Sequence, residues 1–437
     1  MAVIGGGWAG LSAAVTLAHA QVPVTLFEAG RQLGGRARCV PFDDLRVDNG
    51  QHLMIGAYRA LLALLETIGV DPAEALERQP LTLFLRRGRR RLLDLQARRL
   101  PAPLHLGAGI LAARGLTPVD RLRLLRFALR LQRGQIRLTR DITAQALLIA
   151  ERQSGRLLAR LWAPLCLAAM NTPLNRASAR LFLAVLQRSL AGDREAADFL
   201  IPRTDLCSLL PTPAYDYIGA HGGQVQLSQR LLRLEPAGDE GFRLHFRNTE
   251  VKAQRVILAV NPTLTRRLLA PLGLPELAGL DRLTEAPICT LYLRYPEAVR
   301  QARPVEGWLD GLCQWSFDRG VCGQPGLLAV VISGRGPHLE LDNEALAAAV
   351  TRELAEAHPD WPPPQAIRVV REKRATFEAL PGVDTLRPPN GRVAPGLYLA
   401  GDFTRTGLPA TLEGAVVSGR EAARQVLQAT QGHSQVT

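Results

Sequence analysis

Apolar residues at the start of the chain form two short runs separated by a glycine-rich turn and an Ala/Leu-rich stretch. The first run is Ala2–Ile4, the stretch after the turn has helical character, and the second run is Val24–Phe27. This order predicts a strand, a helix and a second strand within the first thirty residues.

Further along the chain, the pattern predicts both helices and strands. Apolar residues recur at helical spacing over 57–68, and residues 141–192 and Asn343–Ala357 are also predicted to be helical. Strand-like runs begin after Gly222, and a last apolar run at 396–402 precedes a long C-terminal helix. With 437 residues, this pattern predicts an α/β protein of two domains.

Positive charge is concentrated in one region. The formal net charge is +13, and residues 86–140 hold fifteen arginines against two acidic residues. A solvated helical face explains this pattern, and so does a basic amphipathic patch that rests on anionic lipid and admits a lipid-soluble substrate. Nucleic acid is a disfavoured partner, because the interleaved aromatic residues expected for base stacking are missing.

Six cysteines are scattered without a CxxC pair, so we expect reduced thiols and neither a metal site nor a disulfide framework. The sequence also shows no signal-peptide pattern and no apolar run long enough to span a bilayer. We therefore expect a cytoplasmic protein whose membrane contact, with the inner face of the cytoplasmic membrane, is peripheral.

The glycine turn has the spacing of a dinucleotide-binding loop. Gly5 permits the tight turn, Gly7 lets the backbone approach a pyrophosphate, and Gly10 lets helix and strand pack closely. The helix that begins around Trp8 and Ala9 offers unpaired N–H groups to phosphates. Glu28, followed by Ala29, ends the second strand and can accept hydrogen bonds from ribose hydroxyls. These residues alone allow either NAD or FAD.

Two later segments carry groups that suit the far side of a longer dinucleotide. Gly34, Gly35 and Arg36 place a guanidinium where it can lie against a phosphate. Gly401 and Asp402 end a strand and can bind ribityl hydroxyls or pyrophosphate. The helix that carries Glu413, Gly414 and Ala415 can direct its first N–H groups at a flavin ring.

Several motifs carry a family resemblance. The LGGR segment, placed soon after a dinucleotide-binding unit, resembles the flavin amine oxidase and carotenoid desaturase superfamily. The whole set resembles the squalene-associated FAD-dependent proteins of bacterial hopanoid synthesis, the hydroxysqualene dehydroxylases; it comprises LGGR, DNGQH, LPAPLHL, LWAPLCLAAMNTP, REKRATF, LAGDFT and PATLEGAVVSG. Asn261 and Phe403 depart from the family pattern.

The resemblance implies FAD as cofactor, an apolar C30 isoprenoid as substrate, and reduction of hydroxysqualene to squalene. It also implies a Rossmann-like FAD domain from 1–75, 205–265 and 385–437, with the Val225 backbone at the adenine. The remaining segments, 76–204 and 266–384, form the substrate domain, in which 86–140 is expected to be a basic helical subregion. A phytoene-type desaturase and an amine oxidase remain alternatives, and the electron donor stays unidentified.

Dehydroxylation needs a proton donor as well as a hydride. Asp48 and His52 are the candidate acids, and the alternative for both is a structural hydrogen-bonding turn. Lys373 and Arg374 either line the site or cap a strand.

Overall fold

The computed structural model describes residues 1–434, and nothing is stated of the last three residues of the predicted 385–437 segment. The chain combines helices with parallel and antiparallel strands, so the expected α/β class is confirmed. The strands are β1 Ala2–Ile4, β2 Thr25–Phe27, β3 Cys39–Phe42, β4 Leu45–Asp48, β5 Met54–Ile55, β6 Leu76–Gln79, β7 Thr82–Arg87, β8 Arg90–Gln96, β9 Phe199–Pro202, β10 Gln224–Gln226, β11 Arg233–Pro236, β12 Phe242–His245, β13 Glu250–Ala253, β14 Val256–Leu258, β15 Glu285–Arg294, β16 Val305–Trp308, β17 Trp315–Asp318, β18 Leu327–Ser333, β19 Ala366–Phe377, β20 Gly391–Ala394 and β21 Leu397–Leu399.

The helices vary from a single turn to a long C-terminal element. They are α1 Trp8–His19, α2 Arg59–Thr67, α3 Pro72–Ala75, α4 Leu104–Ala112, α5 Pro118–Gln132, α6 Ala144–Ala150, α7 Gly155–Leu157, α8 Ala163–Met170, α9 Ala179–Leu190, α10 Leu206–Leu209, α11 Pro211–Ala220, α12 Pro262–Leu269, α13 Asn343–Ala357 and α14 Leu412–Ser434.

A six-stranded sheet, in the order β10-β2-β1-β14-β21-β20, forms the first layer. All its pairings are parallel except that of β20 with β21. Helices α1, α11 and α14 pack together on one face of it. The antiparallel sheet β11-β12-β13 contributes to the cover of the other face, where the rings of Phe27 and Phe246 stack 4.7 Å apart. Apolar strands covered on both faces are typical of parallel sheets.

A seven-stranded sheet, in the order β19-β15-β18-β17-β16-β7-β8, forms the second layer. Helix α13 covers its back through Leu346, Val350 and Leu354. Strands β7 and β8 form a hairpin at one edge, so residues 86–140 begin as β-structure and not as the helical subregion that the sequence suggested. The hairpin buries apolar residues of both strands, among them Leu83 and Leu85 in β7 and Leu93 and Leu95 in β8.

The pairing of β15 with β19 is interrupted where the two layers meet. Ala286 pairs with Thr376, whereas Ile288 pairs with Glu372, so three residues of β19 lie opposite Pro287 alone. Proline has no N–H to give to a sheet, and such a bulge commonly redirects side chains near a site.

One expectation about the cysteines is wrong. Cys39, at the start of β3, is paired with Cys207 in α10 as a disulfide, with the two Cα atoms 5.9 Å apart. The partners lie 168 residues apart in sequence, which explains why spacing alone did not reveal them. Asp205 accepts a hydrogen bond from the Ser208 N–H at the start of α10 and lies beside the two sulfurs.

Candidate cofactor and substrate site

The glycine loop joins β1 to α1 at a point of very close packing. Gly5 has a φ of +109°, and a Cβ there would lie 2.4 Å from the Ala259 carbonyl oxygen. A Cβ on Gly10 would lie 1.8 Å from the carbonyl oxygen of Gly5. Gly7 differs, because the nearest atom to a Cβ at this position is 3.9 Å away, on Gly35. Two glycines therefore allow the elements to pack, and the third leaves backbone open to a ligand.

Glu28 lies beside this loop, at the end of β2. Its two carboxylate oxygens accept hydrogen bonds of 2.6 Å from the backbone N–H groups of Gly6 and Gly30. Ala29 lines the cavity beside it. Val225, which was expected at the adenine, pairs with Leu26 in the sheet and does not line the cavity.

Arg36 connects three segments that are distant in sequence. Its guanidinium donates to the Asp402 carboxylate and to the Ala375 carbonyl, each at 2.6 Å. Burial disfavours the charged form of Arg36, but the carboxylates of Asp402, Glu372 and Glu285 outweigh this and raise its pKa. Gly34 and Gly35, which precede it, lie against the glycine loop, where the Gly34 N–H donates to the carbonyl of Gly6 at 2.8 Å.

The C-terminal segments close the same cavity. Gly401, with a φ of +144°, is covered by the ring of Phe403, to which a Cβ would come within 2.5 Å. The Glu413 carboxylate accepts 2.9 Å hydrogen bonds from two N–H groups in the first turn of α2, those of Ala60 and Leu61. Burial raises the pKa of Glu413, against these two hydrogen bonds. Glu413 and Ala415 line the cavity, whereas Gly10 and Gly414 lie behind its wall.

These segments enclose part of a cavity of about 1070 Å³. Ordinary small-molecule sites extend to roughly 1,000 Å³, so a cofactor and a substrate can share this one. Its other part is apolar, with walls formed by α4, α5 and alternate residues of the seven-stranded sheet. Among the apolar lining residues are Leu83, Leu95, Leu106, Ile110, Leu124, Phe127, Leu131, Ile288, Trp315, Phe317 and Val331.

The lining becomes charged where the apolar part meets Arg36. Glu285 from β15 and Glu372 and Arg374 from β19 line the cavity here, together with Arg36 and Asp402. We call these five residues the charged corner. Sequence reasoning missed Glu285 and Glu372, because the sequence does not show which residues of a strand face the cavity.

The predicted acids have different surroundings. Asp48 is buried outside the cavity lining, where its carboxylate accepts from the Leu206 N–H at 2.8 Å and lies 3.2 Å from the Arg319 guanidinium. His52 lines the cavity with Nδ1 2.6 Å from the Gly50 carbonyl oxygen. Since that oxygen can only accept, Nδ1 carries the proton and Nε2 is an acceptor. Burial lowers the pKa of His52, against the attraction of Asp48, and favours the neutral ring.

Of the two predicted basic residues, Arg374 lines the cavity and Lys373 does not. Lys373 is exposed to solvent at the neighbouring position of the strand. Both fall in the bulge opposite Pro287.

The residues present fit a dinucleotide with a flavin. The Trp8 side chain lines the cavity and is 3% exposed, and its indole N–H has no partner within residues 1–434. Gly7 leaves room for a pyrophosphate, and the Glu28 carboxylate lines the same cavity. An unpaired buried donor beside open glycine backbone is suited to an anionic ligand.

Comparison with known proteins defines the class. Residues 8–427 match the family of flavin containing amine oxidoreductases, and the chain belongs to this family. It is an FAD-dependent oxidoreductase, and the expected cofactor is confirmed.

The chain is similar to particular members as well. It is 34% identical to the hydroxysqualene dehydroxylase of Rhodopseudomonas palustris and 32% identical to that of Sinorhizobium fredii, in both cases over 98% of each chain. It is also similar in fold to a solved oxidoreductase from Methanosarcina mazei, with a TM-score of 0.73, 15% identity, and coverage of 97% of this chain and 99% of that one. The resemblance stated from the motifs is therefore confirmed.

Proposed function

We propose that this protein uses FAD to reduce hydroxysqualene to squalene. The observation that carries the proposal is the single cavity in which an apolar compartment leads to the charged corner beside the cofactor-binding segments. A long isoprenoid needs an apolar compartment, and its hydroxyl needs polar groups at one end. The similarity to two hydroxysqualene dehydroxylases along the whole chain supports the same reaction.

FAD supplies a hydride when it is bound in its reduced form. The chain's own residues hold the cofactor through the glycine loop, Glu28 and the Arg36–Asp402 pair. The apolar walls exclude water from the allylic carbon, and groups of the charged corner handle the proton that the departing hydroxyl requires.

The test uses the purified holoprotein, with its flavin reduced under anaerobic conditions. Added hydroxysqualene is expected to reoxidise the flavin and to yield one squalene for each FAD. No reoxidation and no squalene would overturn the proposal. Oxidised holoprotein is mixed separately with phytoene and with amines, and bleaching of the flavin by either would support a desaturase or an amine oxidase instead.

The expected contact with an anionic membrane is part of this proposal. Within residues 1–434, no helix is both long and apolar enough to cross a bilayer. Helices α4 and α5 face the cavity on one side and expose apolar residues on the other, among them Leu104 at 61% and Leu122 at 67% exposure. Arg126 and Arg133 are exposed on or beside α5, which suits anionic headgroups.

Flotation with vesicles tests this contact. Binding to phosphatidylcholine vesicles is expected to increase with added phosphatidylglycerol and to fall with added salt. The double variant Leu104→Ser/Leu122→Ser is expected to bind at least about tenfold less, since each leucine contributes roughly 1.5–3 kcal/mol when fully buried in lipid and about 1.4 kcal/mol corresponds to a tenfold change. Leu232→Ser, an exposed leucine on the cofactor side, is the matched control. Equal binding by the double variant and the control would contradict the contact.

A further inference from the structure

Five acidic side chains with different surroundings line the cavity: Glu28, Glu285, Glu372, Asp402 and Glu413. Both oxygens of Glu28 and both of Glu413 accept backbone hydrogen bonds. Asp402 is paired with a guanidinium at 2.6 Å. Within residues 1–434, the Glu285 carboxylate accepts no hydrogen bond.

Glu372 is held from two sides. One of its carboxylate oxygens accepts a hydrogen bond from the Asn49 side-chain amide at 3.1 Å. The other accepts a hydrogen bond from the backbone N–H of Arg374 at 3.2 Å. Glu285, by contrast, has only the Arg374 guanidinium at 4.0 Å, which is beyond hydrogen-bond distance.

The environment of Glu285 favours the protonated acid. Burial raises its pKa, and the nearby carboxylates of Glu372 and Asp402 raise it further, while the guanidinium groups of Arg374 and Arg36 oppose them. Arg335, two residues beyond the end of β18, donates a guanidinium hydrogen bond to the backbone carbonyl of Glu285 at 2.8 Å. The side chain remains 24% exposed, so its proton can be replaced from solvent.

His52 does not fit the same role. Its Nδ1–H donates a hydrogen bond to the Gly50 carbonyl oxygen, and its Nε2 is an acceptor in the neutral ring. A neutral imidazole that faces the cavity can accept a hydrogen bond from a substrate hydroxyl and orient it, but it has no free proton to donate.

We infer that Glu285 is the catalytic acid of this cavity and donates its carboxyl proton to the hydroxyl of a bound allylic alcohol. The inference rests on the proposed function, which it deepens. The C–O bond breaks, and its electron pair leaves with the oxygen as water that carries the Glu285 proton. The allylic carbon takes the hydride that reduced FAD supplies, and the Glu285 carboxylate takes a proton from solvent. This gives one squalene and one water for each hydride.

The first experiment compares Glu285→Gln with Glu372→Gln in the FAD-loaded enzyme. Glutamine keeps the size of the side chain but has no acidic proton, so Glu285→Gln is expected to lower kcat at least about 100-fold, within the usual contribution of a general acid. Glu372→Gln is expected to lose much less. Both variants must retain the flavin spectrum and the Tm of the wild type, and Glu285→Asp is expected to recover part of the activity.

The second experiment measures the proton itself. In the wild type, kcat/KM is expected to fall as pH rises through the pKa of Glu285, and this fall is expected to be missing in Glu285→Gln. Arg374→Gln is expected to move it to higher pH, because the guanidinium lowers that pKa. Infrared difference titration of the oxidised holoprotein is expected to show a protonated carboxyl that disappears in Glu285→Gln.

The outcomes are separable. Wild-type turnover together with unimpaired turnover by Glu285→Gln would overturn the inference and leave the proposed function standing. No squalene from the wild-type enzyme would overturn both.

Discussion

Replacing Arg319 with methionine removes the cation that faces a buried carboxylate. The Arg319 and Asp48 side chains are 1% and 3% exposed, with Nη1 3.2 Å from Oδ2. At an effective dielectric constant of about 20, two unit charges at this distance attract by about 5 kcal/mol. Methionine leaves the Leu206 N–H as a remaining partner of Asp48, at 2.8 Å. We therefore expect a loss of about 3–5 kcal/mol in the free energy of unfolding.

That loss is large beside the roughly 5–15 kcal/mol total of an ordinary domain. Urea unfolding with FAD in fixed excess measures it, because bound cofactor itself adds to stability. The double variant Asp48→Asn/Arg319→Met is expected to be more stable than Arg319→Met alone, since no buried charge is left unpaired. Arg87→Met is the surface control; its pair with Asp310 has a similar distance of 3.4 Å but is well exposed, and we expect a cost below about 1 kcal/mol.

A cost of less than about 1 kcal/mol for Arg319→Met would refute this reasoning. A double variant that loses the sum of the two single losses would refute it as well, because the two side chains would then act independently.

Three further outcomes are expected. Gly10→Ala should lower the free energy of unfolding by about 1–3 kcal/mol, because its Cβ would lie 1.8 Å from the Gly5 carbonyl oxygen; thermal unfolding measures this. Gly7→Ala should unfold like the wild type without FAD but bind FAD more weakly in fluorescence titration, and unchanged affinity would contradict the assignment of the open backbone to the pyrophosphate. His358, beside Arg86, has a pKa lowered from 6.5 to about 4 by burial and by that guanidinium. The unfolded chain therefore binds more protons between these values, so wild-type stability should fall as pH decreases from 6.5 to 4, and His358→Gln should show a smaller fall.

Local patterns predicted the elements that depend on near neighbours. The strand–turn–helix–strand unit over Ala2–Phe27 and helix α13 at Asn343–Ala357 occur where periodicity indicated them. Their side-chain spacing already defines which face is buried. Strands β16 and β17 were not predicted, because four-residue runs such as Val305–Trp308 gain their stability from neighbours far along the chain.

The surroundings of Asp48 could not be read from local sequence. In DNGQH, this carboxylate resembles a group placed near a cofactor. Its cation, Arg319, comes 271 residues later, in the turn after β17. The position of Asp48 near the cofactor-binding segments was predictable. Its buried ion pair with Arg319 was not, because it depends on how the six-stranded and seven-stranded sheets pack together.

For the charged corner, the sequence does not reveal which side chains of β19 face the cavity. In the run REKRATF, Glu372, Arg374, Ala375 and Thr376 line the cavity, whereas Lys373 does not. The regular alternation of a strand is interrupted here, because Lys373, Arg374 and Ala375 lie in the bulge opposite Pro287. Sequence reasoning therefore could propose both basic residues but not choose between them. The pairing of β19 with β15 makes that choice, and both Glu285 and Arg374 line the cavity, where the guanidinium groups of Arg374 and Arg36 oppose the rise in the Glu285 pKa that burial causes.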